Sequence, residues 1–252
     1  MRFRLAVPIA AIFACIAVSP ATATTFTQGE FYTWDQNIWG ADPTDGSAAS
    51  VVLSDFFTVF TAGLELGYHA PGGYVMDFSS GDAVLSYLPQ SGAPGALDAS
   101  LTDPTSSSSG VFGGQILALR LNTGYSDAGP FYDSHGHLVI GHPAGIAFGD
   151  LIYTGLTGSL ASINGLNVRQ VLDIGNVLLG GGAEPYDIPD FSDLVNLTNS
   201  AFEGGYVNAF ADHFLLPDIS TPVPEPASLP LMLAGLGMMG VALRSRGNQE
   251  RT

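Results

Sequence analysis

An α+β fold is the class this sequence predicts. Its N-terminal part is strand-rich, several short amphipathic helices follow, and a single transmembrane helix closes the chain. Three observations carry that expectation. Residues 26–78 hold aromatic and β-branched runs broken by turn residues, the pattern of short strands. From Ser79 onward the apolar residues recur at helical spacing, which predicts helices. Residues 227–243 form 17 consecutive positions without a charge, about 26 Å of helix at 1.5 Å per residue against a bilayer core of about 30 Å.

The elements follow in order. Arg2 and Arg4 precede an apolar run at residues 5–18, and Ala21 and Ala23 form an A-x-A cleavage pattern. Residues 1–23 therefore read as a signal peptide, with the mature start at Thr24. Cys15 is the single cysteine and lies inside that leader, so the mature chain has neither disulfides nor thiolate chemistry. Phe13, two positions before it, is too large for a lipoprotein signal. Residues 24–216 form one exported domain, long enough for a sizeable core.

Within that domain "FTQGEFYTW" (26–34) predicts a strand, and "ADPTDGSAAS" (41–50) is a loop of turn residues. "FFTVFTAGLELGY" (56–68) alternates in part and predicts a second strand; "YVMDF" (74–78) predicts a third after the turn "HAPGG". Ser79 or Ser80 caps a helix reaching Leu88, Asp82 suits its positive start, and Pro89 ends it. A polar loop covers 90–110, and a helix begins at Val111 and reaches Asn122. Val168, Val171, Leu172, Gly175, Leu178 and Leu179 line one helix face, with Asn167 and Gln170 as a capping box and the glycines 180–182 as its stop. A further helix is expected from about Ser192 to Phe202, and a last one carries Val207, Phe210, Ala211 and Phe214.

Charge excludes some partners. Between Thr24 and Pro222 two arginines, Arg120 and Arg169, face 21 acidic residues, a net −19. Phosphate neutralisation needs many basic residues, so a nucleic-acid partner is excluded. A cation such as calcium fits this balance, and so does an acidic surface that only keeps an exported protein soluble.

The chain end is distinctive. "PDISTPVPEP" (217–226) is a proline-punctuated linker, the apolar run 227–243 follows it, and Arg244, Arg246 and Arg251 come next. By the positive-inside rule Arg244 and Arg246 hold the tail, 244–252, on the cytoplasmic side. Val223, Pro224, Glu225 and Pro226, the apolar helix and the arginines together resemble the PEP-CTERM protein-sorting signal. That resemblance implies export by a Gram-negative bacterium and a transient single-pass stage in the inner membrane. It also implies processing by an exosortase-type enzyme that recognises the Pro-Glu-Pro motif, then release or attachment at the cell surface or in the extracellular matrix, often together with exopolysaccharide. The stretches 81–129 and 165–182 are similar to a module of uncharacterised bacterial surface and secreted proteins; this resemblance assigns no residue a role.

Candidate chemistry is sparse. In "DSHGHLVIGH", Asp133, His135, His137 and His142 could share a metal, because residues i and i+2 of a strand face one side; solvated loop histidines are the competing reading. Asp187, Asp190 and Asp193 recur at three-residue steps, which suits calcium or, more simply, a helix start. No EF-hand, P-loop, G-x-S-x-G or H-E-x-x-H pattern is present. The expectation is a non-enzymatic exported surface protein needing no cofactor. A secreted polysaccharide-acting enzyme and a metal- or calcium-binding adhesin are the alternatives.

Overall fold

The computed structural model describes residues 26–141 and 145–217. The signal peptide with Ala21 and Ala23, His142, the linker beyond Pro217 with Val223, Pro224, Glu225 and Pro226, the apolar run 227–243, and Arg244 and Arg246 lie outside the described residues. Among the described residues no helix is long and apolar enough to cross a membrane.

Among the described residues helices and short strands are interspersed, so the fold is α+β. Helix α1 (Gln36–Trp39) starts on Asp35, whose carboxylate accepts from the amides of Asn37 and Ile38. Helix α2 (Ala48–Val59) starts on Ser47, which accepts from Ser50 N–H. Strands β1 (Leu64–Gly67) and β2 (Val75–Phe78) pair antiparallel with Leu64 opposite Phe78, and β3 (Leu101–Thr102) joins β2 in parallel. Helix α3 (Gly81–Tyr87) lies between β2 and β3 in the chain, and its N-cap is Ser80, with Asp82 in the first turn as the sequence predicts. Next come α4 (Val111–Ala128), the hairpin β4 (Phe131–Tyr132) and β5 (Leu138–Ile140), and β6 (Ile152–Tyr153). Helices α5 (Val168–Leu179), α6 (Ile188–Asn199) and α7 (Ala209–Phe214) follow, before β7 (Leu215–Leu216) pairs with β6.

Helix α4 is the centre. Most of its residues are buried, including Phe112, Ile116, Leu117, Leu119, Leu121 and Tyr125; a helix buried nearly all round has neighbours on most sides. Burying each such side chain stabilises by about 1.5–3 kcal/mol. Phe112 meets Phe191 of α6 edge-to-face, while Tyr125 stacks on Trp39 of α1 at 5.6 Å. Helix α5 realises its capping box in full: Asn167 accepts from Gln170 N–H and the Gln170 side chain accepts from Asn167 N–H, each at 2.9 Å. Its stop depends on Gly181, whose φ of +82° is left-handed and open to glycine without strain.

Three expectations are corrected. The strand-rich N-terminal part contains two helices, and residues 48–59, divided between a loop and a strand in the sequence reading, are α2. The reason is that Ala48, Ala49, Val51, Val52 and Phe56 are the buried set, a helical face, whereas Phe57, an apparent strand tooth, is 59% exposed. The stretch 26–34 makes only isolated bridges, Tyr32 with Gly141 and Thr33 with Glu203. Helix α6 begins at Ile188 rather than Ser192 and ends at Asn199, because Pro189 in the first turn starts a helix without needing an amide partner.

Candidate functional site

The hairpin loop gathers three of the four residues proposed for a metal. Asp133 and His137 flank a turn in which Gly136 has φ +82°, so His135 and His137 sit in the loop and not on a strand. Asp133 organises that loop: its carboxylate accepts from His135 N–H at 2.9 Å, from His137 N–H at 2.7 Å and from His137 Nδ1 at 2.9 Å. Those bonds, led by the His137 amide, hold its pKa below the ordinary aspartate range. The two imidazoles lie face to face with centroids 6.2 Å apart. His135 Nδ1 lies 3.4 Å from Asp45 Oδ2, which also accepts from the Ser134 hydroxyl. Both histidines are exposed, and among the described residues no group of three or more His, Cys, Asp or Glu converges on one point.

Asp190 lies in the first turn of α6 and accepts from Ser159 at 2.8 Å, while Asp187 occupies the cap position. A second acidic grouping arises across β1 and β2, where Glu65 stands opposite Asp77 beside a cleft of about 410 Å³. Partial burial, then the Glu65 charge, raise the Asp77 pKa.

A cleft of about 440 Å³ opens where α1, the loop after α3, α4 and α6 meet. No sequence motif marks it. Gln36, Gln90, Gln115 and Asn196 line it with amides, Ser192 with a hydroxyl, and Asp193 with its one carboxylate. Gln36 is 3% exposed, and its Oε1 accepts from Gln90 N–H at 2.9 Å. A methyl group on Gly114 would stand 1.8 Å from that same oxygen, so glycine is what lets Gln36 lie against α4. Gln90 is pinned in turn, its amide donating to the carbonyls of Tyr87 and Thr105.

Behind the cleft the amides continue inward as a ladder. Gln115 Nε2 donates to Asn196 Oδ1 at 2.9 Å, and Asn199 Nδ2 donates to Gln115 O and Oε1, each at 2.9 Å. Asn122 Nδ2 donates to Asn199 Oδ1 and to Trp34 O, and Asn122 Oδ1 accepts from Trp34 N–H. Buried amides satisfied in this way hold one arrangement, so the ladder fixes α4 against α6 and sets the position of the cleft's inner wall.

The signal for these residues was in the sequence but went unread. Gln115 and Asn122 are seven apart on α4, and Ser192, Asn196 and Asn199 fall at i, i+4 and i+7 on α6. Polar residues at that spacing make a stripe along one helix face. Two such stripes face each other at the α4–α6 seam.

Residues 222–246 match a family described as the PEP-CTERM protein-sorting motif. The match agrees with the resemblance read from Pro224, Glu225, Pro226 and the arginines, and it supports an exosortase substrate delivered to the cell surface. No curated protein matches the chain, and no solved structure does.

Proposed function

We propose that this chain is an exported cell-surface or extracellular-matrix protein whose folded body binds a ligand and catalyses no reaction. The C-terminal segment would hold it in the inner membrane as a single-pass intermediate until an exosortase-type enzyme acts near Pro224, Glu225 and Pro226. The sorting-motif match over residues 222–246 carries this reading. The export leader predicted at residues 1–23 agrees with it.

Non-enzymatic character for the body rests on the cleft between α1, α4 and α6. That cleft is lined by amides and hydroxyls with one carboxylate, Asp193. Such groups hydrogen-bond to a ligand, but side-chain amides are not general acids or bases, and glycoside cleavage ordinarily needs two carboxylates flanking one bond. A metal-binding adhesin is the second reading, favoured by the stacked His135 and His137 over Asp133.

Replacing Glu225 and Pro226 together by alanine in cells that carry an exosortase tests the sorting. Wild type should reach the surface with its tail removed, read by intact mass. The double variant should stay in the inner-membrane fraction at unprocessed mass. Recovery of wild type in the cytoplasm would overturn the proposal.

A further inference from the structure

The cleft between α1, α4 and α6 contains two polar groups that the protein does not use. Gln36 is 3% exposed and Ser192 4%. Gln36 Oε1 is engaged by Gln90 N–H, yet Gln36 Nε2 donates to nothing among the described residues, and Ser192 Oγ has no partner there either. Among the described residues only Tyr125 carries a polar side-chain atom that is both fully enclosed and unpaired. The free atoms of Gln36 and Ser192 are therefore not sealed in the interior; they keep an open side, and the open side of both residues is the cleft they line. Free donors and acceptors on the concave wall of largely buried residues are places where a ligand's groups can take over the bonds that water makes.

We propose that this cleft binds an uncharged, hydroxyl-rich ligand, a segment of a neutral saccharide. Three features select that class. Amides and hydroxyls both donate and accept, and so does each sugar hydroxyl. No arginine lines the cleft, and a body carrying two arginines against 21 acids repels anions. Val111 offers one apolar surface among the polar ones, enough for the C–H face of a sugar ring. A peptide would want a free strand edge or an apolar groove, and this wall is made of helices and a loop. Its volume of about 440 Å³ lies in the range of small-ligand sites, about 300–1,000 Å³.

The inference rests on the binding role proposed for the body, and its test separates the two. Full-length protein in detergent is titrated calorimetrically with maltohexaose, cellohexaose and mannohexaose, with an oligogalacturonate as acidic probe, chitosan oligomers as cationic probe and a mixed-sequence peptide. Saturable binding of at least one neutral hexasaccharide is expected. Ser192→Ala should weaken it about tenfold, as expected for one lost hydrogen bond. Ser192→Gln, which pushes a longer side chain into the cleft, should abolish it, and His135→Ala should leave it unchanged. Ser192→Ala removes a hydroxyl without a protein partner, so it should fold as wild type does. Binding unaffected by either Ser192 variant would overturn the proposal, as would binding of the charged probes or the peptide alone, or of no neutral sugar at millimolar concentration. Release of shorter sugars would support the ligand class and overturn the non-enzymatic role. Mislocalisation of a protein that still binds would count against the sorting reading alone.

Discussion

The α4–α6 seam and the β4–β5 hairpin loop are both polar clusters built on short sequence intervals, yet they do opposite things. In the seam Asn122 and Asn199 lie in the interior, and each amide bonds across to an element distant in sequence. In the loop Asp133 bonds to residues two and four positions on, and the histidines it holds are exposed. Long-range buried bonds tie elements together and punish any vacancy, whereas local exposed bonds shape one turn that water could also satisfy. The histidine loop drew attention in the sequence because His, Asp and Gly are conspicuous types. The amides that position the main cleft are chemically quiet, and their meaning comes from burial.

Asn122→Ala attacks the seam where it is most connected and should give the largest effect. It leaves Trp34 N–H, Trp34 O and Asn199 Oδ1 without their partner, and removes the acceptor 3.3 Å from Trp39 Nε1. Several unpaired groups in the interior should lower stability by about 3–5 kcal/mol, measured by urea unfolding. A loss under about 1 kcal/mol would mean that water replaces the amide, and the contrast with the hairpin would collapse. Tyr125→Phe should move stability the other way. Its hydroxyl is buried with no partner, and burial drives its pKa well up. Removing an unsatisfied hydroxyl while keeping the ring on Trp39 should stabilise by about 1 kcal/mol, seen as a higher unfolding midpoint.

Much of the local structure was legible. Ser80 with Asp82, the Asn167–Gln170 box and the glycines after Leu179 are signals that act within a few residues, and each did what its chemistry dictates. Helix α2 was misread because the pattern was taken up at Phe56; counted from the Ser47 cap, Val51, Val52 and Phe56 form a helical face. The sorting tail was legible because its reader is another enzyme, so its signal has to be linear. The cleft was not, since Gln36, Gln90, Gln115 and Ser192 come from four separate segments and converge only through packing. The polar stripes on α4 and α6 were the one available clue, and they say which faces meet without saying what lies between.

The smallest effect should come from acid titration of the half-buried carboxylates Asp133 and Asp77, where the sign carries the information. Asp133 has a depressed folded-state pKa, caused first by His137 N–H. Its contribution is therefore present above the unfolded aspartate value of about 3.9 and fades as pH falls through the folded one. Asp77 is the reverse case, raised by burial and then by Glu65. The folded state favours its protonated form, so its contribution is present below the unfolded value and is lost as pH rises through the folded one. Asp133→Asn should flatten the loss of stability as pH falls below about 4, and Asp77→Asn should flatten the loss as pH rises above about 4. Urea midpoints taken along that pH range separate the two. Equal slopes for both variants and wild type would show that neither carboxylate senses the fold, leaving the hairpin loop a surface turn with no energetic role.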